Sequence, residues 1–131
     1  MNPERARSDK GAATTAVVLI MPAVLFAVMV IVQFALAYHA RQVLTQAAQD
    51  AAFAGSAADA QPDDATTTAN RVISAAGTGL VRDVTVNIDR AADHVHVSID
   101  ATVVSVVPGL TLHADGDADS PTETFQPQGS P

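Results

Sequence analysis

The spacing of apolar positions changes three times along the chain, and each change predicts a different element. From Gly11 to Ala40 no Asp, Glu, Lys or Arg occurs, and the polar Thr14, Thr15 and Gln33 lie near the ends of this run. As a helix rising ~1.5 Å per residue it would measure ~45 Å, more than the ~30 Å of a bilayer's hydrocarbon core. The run therefore predicts a transmembrane helix, assigned here to residues 11–38. Pro22 lies inside it and removes one backbone donor, which membrane helices tolerate with a local bend.

Beyond the run the apolar residues thin out to a stripe. Ala40, Leu44, Ala47, Ala51, Ala54 and Ala58 recur at alternating steps of four and three, while Gln42, Thr45, Gln46, Gln49 and Asp50 fall mostly off that line. One helical rod is expected to continue from the membrane to about Ala54 and to end near Gly55. A stripe made almost entirely of alanine permits close backbone approach, so Ala40, Leu44, Ala47, Ala51 and Ala54 form a helix-packing seam. Two settings fit the seam: a helix of a partner subunit, or the chain's own sheet. In the first setting, Ala47→Leu or Ala51→Leu would disrupt partner association and leave membrane insertion unchanged.

A second, shorter helix is signalled by Pro62 in a first turn, by Asp63 and Asp64 opposing the positive end of the helix dipole, and by Gly77 and Gly79 as a stop. Its apolar face would hold Val72, Ile73 and Ala76, with residues 59–64 as a surface turn. After Gly79 the period becomes two: Val84, Val86 and Ile88, then Val95, Val97, Ile99, Ala101 and Val103, alternate with polar residues. This predicts a hairpin turned at residues 90–93 with one oily and one wet face. Pro108-Gly109 marks a further turn, after which Leu110, Leu112 and Ala114 supply a third strand. Residues from Ser120 onward read as a disordered tail. The expected class is α+β, divided into a basic leader at 1–10, the span at 11–38, an extracytoplasmic domain at 39–119 and the tail at 120–131.

Charge orients this arrangement. Arg5, Arg7 and Lys10 precede the apolar run and Arg41 alone follows it closely, which by the positive-inside bias puts the N-terminus in the cytoplasm. Beyond the run, twelve acidic side chains face four basic ones, a balance that repels nucleic acid. With aromatic residues at 4% and no Trp, the core is shallow, and without cysteine there are neither disulfides nor thiolate metal sites. Ala35-Leu36-Ala37 resembles a signal-peptidase site, and cleavage there would release a soluble module. More than twenty apolar residues precede it, however, against ~7–15 in an ordinary signal peptide, which favours a retained anchor.

The wet face of the hairpin carries the residue types of catalysis without their geometry. His96, Ser98 and Asp100 stand ~6.5–7 Å apart along one strand with parallel side chains, so they cannot converge as a triad. No metal site is expected; the alternative of a metal-binding envelope protein would have to build one from His94, His96 and His113. Asp63 and Asp64 suit a helix start better than a metal. The run Asp115-Gly116-Asp117-Ala118-Asp119 opens like a calcium loop, but Ser120 stands where its glycine is needed and Gln126 where its glutamate belongs. It reads instead as an acidic solubilising loop. No enzyme activity and no cofactor are expected.

Three pieces in order resemble one family: Gly11 to Pro22, the stretch ARQVLTQAAQDAA from Ala40 to Ala52, and VVPGLTL from Val106 to Leu112. Together they are similar to the TadE-like proteins, pseudopilin-like components of the tight-adherence (Flp) pilus and secretion machinery, with the resemblance running from about Arg7 to Phe125. It implies a pilin-like fold, a membrane location, and association with other pilus or secretion components, as a homo- or hetero-oligomer. It also implies a processing boundary between Gly11 and Ala12. The family's glutamate five residues after the glycine is Ala16 here. A buried carboxylate needs a partner, and in pilin-like proteins that partner is the N-terminal amine of a neighbouring subunit. Ala16 cannot direct this pairing, so the resemblance combined with this departure implies an anchor that is kept.

Overall fold

The computed structural model describes the backbone of residues 3–122 and the side chains of residues 11–122. The leader side chains Arg5, Arg7 and Lys10, the tail from residue 123 and Gln126 lie outside the described side chains. The architecture is the α+β class expected: a long N-terminal helix, a short second helix and a three-stranded antiparallel sheet.

Helix α1 runs without interruption over Pro3–Ser56 and includes Pro22. Its apolar portion is bare: Leu19 is 72% exposed, Leu25 62% and Ile31 68%. From Gln33 onward one side of the helix is covered. The domain therefore begins to pack five residues before the end of the expected span. Ala40, Leu44, Ala47, Ala48, Ala51 and Ala52 are fully or almost fully buried. They form one core with Val95, Val97, Ile99, Ala101 and Val103 of the sheet and with Ala65 and Ala69 of the second helix.

That second helix, α2, spans Asp64–Ala75 and places Ala65 and Ala69 against α1, with Val72 and Ile73 half-buried beside them. Ala76, expected on the apolar face, is instead the exposed C-terminal cap, and Gly77 follows at φ +113°, a value that only glycine adopts without strain. Pro62 precedes the helix, whose entry is fixed by Asp64: its Oδ2 accepts the Gln61 backbone N–H at 2.7 Å.

The strands are β1 (Val81–Arg90), β2 (His94–Val103) and β3 (His113–Pro121), in spatial order β1-β2-β3. The expected hairpin forms, with Arg90 inside the ladder instead of in the turn, Ile88 opposite Val97 and Val86 opposite Ile99. A bulge between Arg82 and Thr85, with Asp83 at φ 52°, leaves Val84 exposed instead of on the oily face. The third strand departs further from expectation. Leu110 and Leu112 belong to the connection, and β3 is made of the acidic run itself, with Ala114, Gly116 and Ala118 facing inward and Asp115, Asp117 and Asp119 outward. It extends through Ser120, expected in the tail, whose hydroxyl shares a 2.9 Å hydrogen bond with that of Ser56.

The reason β3 is built from such small residues is the closeness of α1. A side chain at Gly116 would collide with the backbone of Leu44 and Thr45; its Cβ would fall 2.6 Å from the Leu44 carbonyl oxygen. Helix and strand here meet backbone to backbone, a contact that the missing side chain of Gly116 makes sterically accessible.

Candidate functional site on the membrane helix

The seam residues are occupied by the chain's own domain. Ala40, Leu44, Ala47 and Ala51 are 0% exposed, and Ala54 is half-buried. Of the two settings open from the sequence, the structure fills the seam with the sheet and α2. Ala47→Leu then acts inside the chain: the added methylenes overpack the core, and a destabilisation of about 1–3 kcal/mol is expected. Thermal unfolding of the detergent-solubilised variant, followed by circular dichroism, checks this.

What remains uncovered on α1 is its apolar portion and an outward face on which Phe34, Tyr38 and Phe53 stand 58%, 68% and 72% exposed. Gly11 and Ala12, the expected processing boundary, lie in helix and are exposed, with Gly11 O accepting the Thr15 hydroxyl at 2.9 Å. Ala35 and Ala37 also lie within the continuous helix, and Leu36 and Ala37 pack against the core.

Gln33 is the residue whose role the sequence did not disclose. Set in an apolar run, it is nonetheless 0% exposed. Its Nε2 donates to Val104 O at 3.1 Å, and its Oε1 accepts Val106 N–H at 2.6 Å and Val107 N–H at 3.4 Å. One amide thus satisfies both its own polar atoms and three backbone groups of the β2–β3 connection. The connection is closed further by Val107, Pro108, Gly109 and Leu110, where Leu110 N–H bonds Val107 O at 3.1 Å and Gly109 sits at φ +80°. Proline followed by a positive-φ glycine is the signature of a type II turn. The Ser105 hydroxyl lies 2.7 Å from Val107 O and 2.8 Å from Leu110 O. Val104 N–H reaches Leu80 O at 3.0 Å.

The wet face of the sheet brings no chemistry together. His96 pairs across the strands with Asp119, its Nδ1 2.9 Å from the carboxylate, while His113 pairs with Thr102, six residues or ~20 Å further along β3. His94 lies beside Asp93 at 2.7 Å, and this hydrogen bond, with the attraction of the ring, holds the Asp93 carboxyl below its usual range. Among the described residues no three His, Asp or Glu side chains are grouped to hold a metal ion. The acidic run offers no loop either, because as a strand it points Asp115, Asp117 and Asp119 outward in a row.

The sequence of residues 11–52 matches the family described as TadE-like protein. This segment is similar to that family. It covers about a third of the chain and lies entirely within α1, from the bare apolar portion to the part buried under the domain. No curated protein and no solved structure matches the chain. The long apolar helix of the TadE-like segment suggests a membrane anchor.

Proposed function

We propose that the chain is a membrane-anchored, pseudopilin-like scaffold protein of a tight-adherence pilus or a related secretion apparatus, working by association and not by catalysis. Its N-terminus is cytoplasmic and its domain extracytoplasmic. The observation that carries this reading is that the TadE-like segment is one unbroken helix, bare where it is apolar and covered by the chain's own domain where it is not. In such a molecule the contacts left for sister proteins lie on the uncovered helix, and the alanine seam holds the domain upright.

The anchor is retained in this reading. Ala16 leaves no carboxylate to pair with a processed amine, which removes the incentive to cleave at Gly11. Cleavage after Ala37 would sever Gln33 from the backbone groups it satisfies and strip Leu36 from the core, so release of a stable soluble module is disfavoured. Intact mass of the protein in separate membrane and supernatant fractions tests this. A full-length membrane species is expected; a membrane species starting at Ala12 would establish leader processing, and a supernatant species starting at Tyr38 would overturn the reading. Co-purification of other pilus components with the full-length protein tests the association itself.

A further inference from the structure

The end of the domain nearest the apolar portion of α1 is the β2–β3 connection, which Gln33 holds to the helix and which carries no charge. Val104 to Leu112 contains no Asp, Glu, Lys, Arg or His, although twelve acidic residues lie beyond the apolar run. Val106 is 39% exposed at its tip, Pro108 and Gly109 are exposed, and Leu110 is half-exposed. Gln33 clamps this loop onto α1 at a level where the helix's free side still shows Ile31, Val32 and Phe34 to the surroundings. Counting ~20 residues of span from Lys10 brings the hydrocarbon boundary to about residue 31. Phe34 and Tyr38 then fall where aromatic side chains of membrane helices gather, at headgroup level. The loop is at that same level.

We propose that the Val104–Leu110 loop is a second membrane contact, seated in the outer interface of the bilayer that α1 spans, with Val106, Pro108 and Leu110 among the headgroups and upper acyl chains. The occupant of this surface is lipid because the surface is continuous with the helix's own lipid-facing side. The loop suits that setting chemically. Gln33, Ser105, Leu80 and the turn itself satisfy the backbone groups of Val104, Val107 and Leu110 and the Val106 N–H, the remaining loop groups have the water and headgroups of the interface to bond, and Gln33 in turn tolerates its depth because the loop covers it. The domain would rest on the membrane on two supports, with its acidic sheet face turned away from them.

The proposal rests on the membrane-anchor reading, and its test separates the two. Because the chain has no Trp and no Cys, a single reporter is unambiguous. The full-length protein, one copy per lipid nanodisc, is prepared as Val106→Trp and Leu110→Trp, with Leu25→Trp reporting the span and Asn87→Trp the wet sheet face. Val106→Trp and Leu110→Trp are expected to emit blue-shifted from Asn87→Trp and to lose intensity when lipids brominated near the glycerol end of the acyl chain are used. Leu25→Trp should be quenched by lipids brominated deeper. If Leu25→Trp is quenched and both loop reporters match Asn87→Trp, the loop contact is wrong. If Leu25→Trp is unquenched, the anchor reading falls and the loop proposal with it. A blue shift without lipid quenching, appearing only in discs holding several copies, would assign the loop to a second copy and overturn the proposal. Val106→Cys carrying a nitroxide gives the same depth through oxygen accessibility, in a side chain small enough at its attachment to spare the fold should tryptophan disturb it.

Discussion

Replacing Gly116 by alanine is expected to separate the third strand from the membrane helix. The new Cβ would lie within contact range of three backbone atoms of Leu44 and Thr45, none of which can rotate away as a side-chain tip would. Either α1 and β3 move apart, opening space under Ile99 and Ala114, or the strand leaves the sheet. Overpacking of this kind costs about 1–3 kcal/mol and occasionally more, and because the obstruction is backbone the upper end applies; Gly116→Val exceeds it. The expected result is a domain that unfolds at markedly lower temperature while α1 stays in the membrane. Far-UV circular dichroism in detergent, with proteolysis of the domain as a second readout, measures it. An alanine variant as stable as the native chain would mean that helix and strand are not in backbone contact.

The second large effect belongs to Gln33→Leu. Leucine fills a similar volume and suits the apolar run, so insertion should be unchanged or improved. What is lost is the partner of Val106 N–H, Val107 N–H and Val104 C=O, and each buried backbone group left unpaired costs about 1–3 kcal/mol. The loop can limit this loss by lifting off the helix into water or lipid headgroups. Amide exchange at Val106 and Val107 is therefore expected to accelerate by at least ~10-fold, the equivalent of ~1.4 kcal/mol, while amides of β2 such as Val97 keep their protection. Unchanged exchange at both loop amides would show that Gln33 does not hold the loop.

These two residues are also where the sequence was least legible, for opposite reasons. Gly116 sits in a run of aspartates, and glycine and aspartate are both depleted in strands, so the run looks like a turn or a metal loop. Its alternation of Ala, Gly and Ala with Asp is nonetheless a period of two, and it becomes readable once the facing helix is known to present alanines. Gln33 was legible as polar in an apolar span, but what satisfies it lies some seventy residues away, beyond any local pattern. By contrast, the rod to about Gly55 and the two alternating strands of the hairpin follow from local periodicity alone, and both stand as expected. The seam was visible as a face without an address: its alanine content predicts close approach and not whose backbone approaches.

The unbroken helix also fixes how the molecule can respond to load. A flexible linker between anchor and domain would act as an entropic spring with variable reach. Here the stretch from Gln33 to Ser56 is a helical strut of ~35 Å, held along its length by sheet and α2. A pull on the domain is delivered directly to the membrane segment, and a tilt of one is a tilt of the other. In the proposed membrane setting the domain has a set stature above the bilayer, and helix and domain tilt, spin and drift as one body.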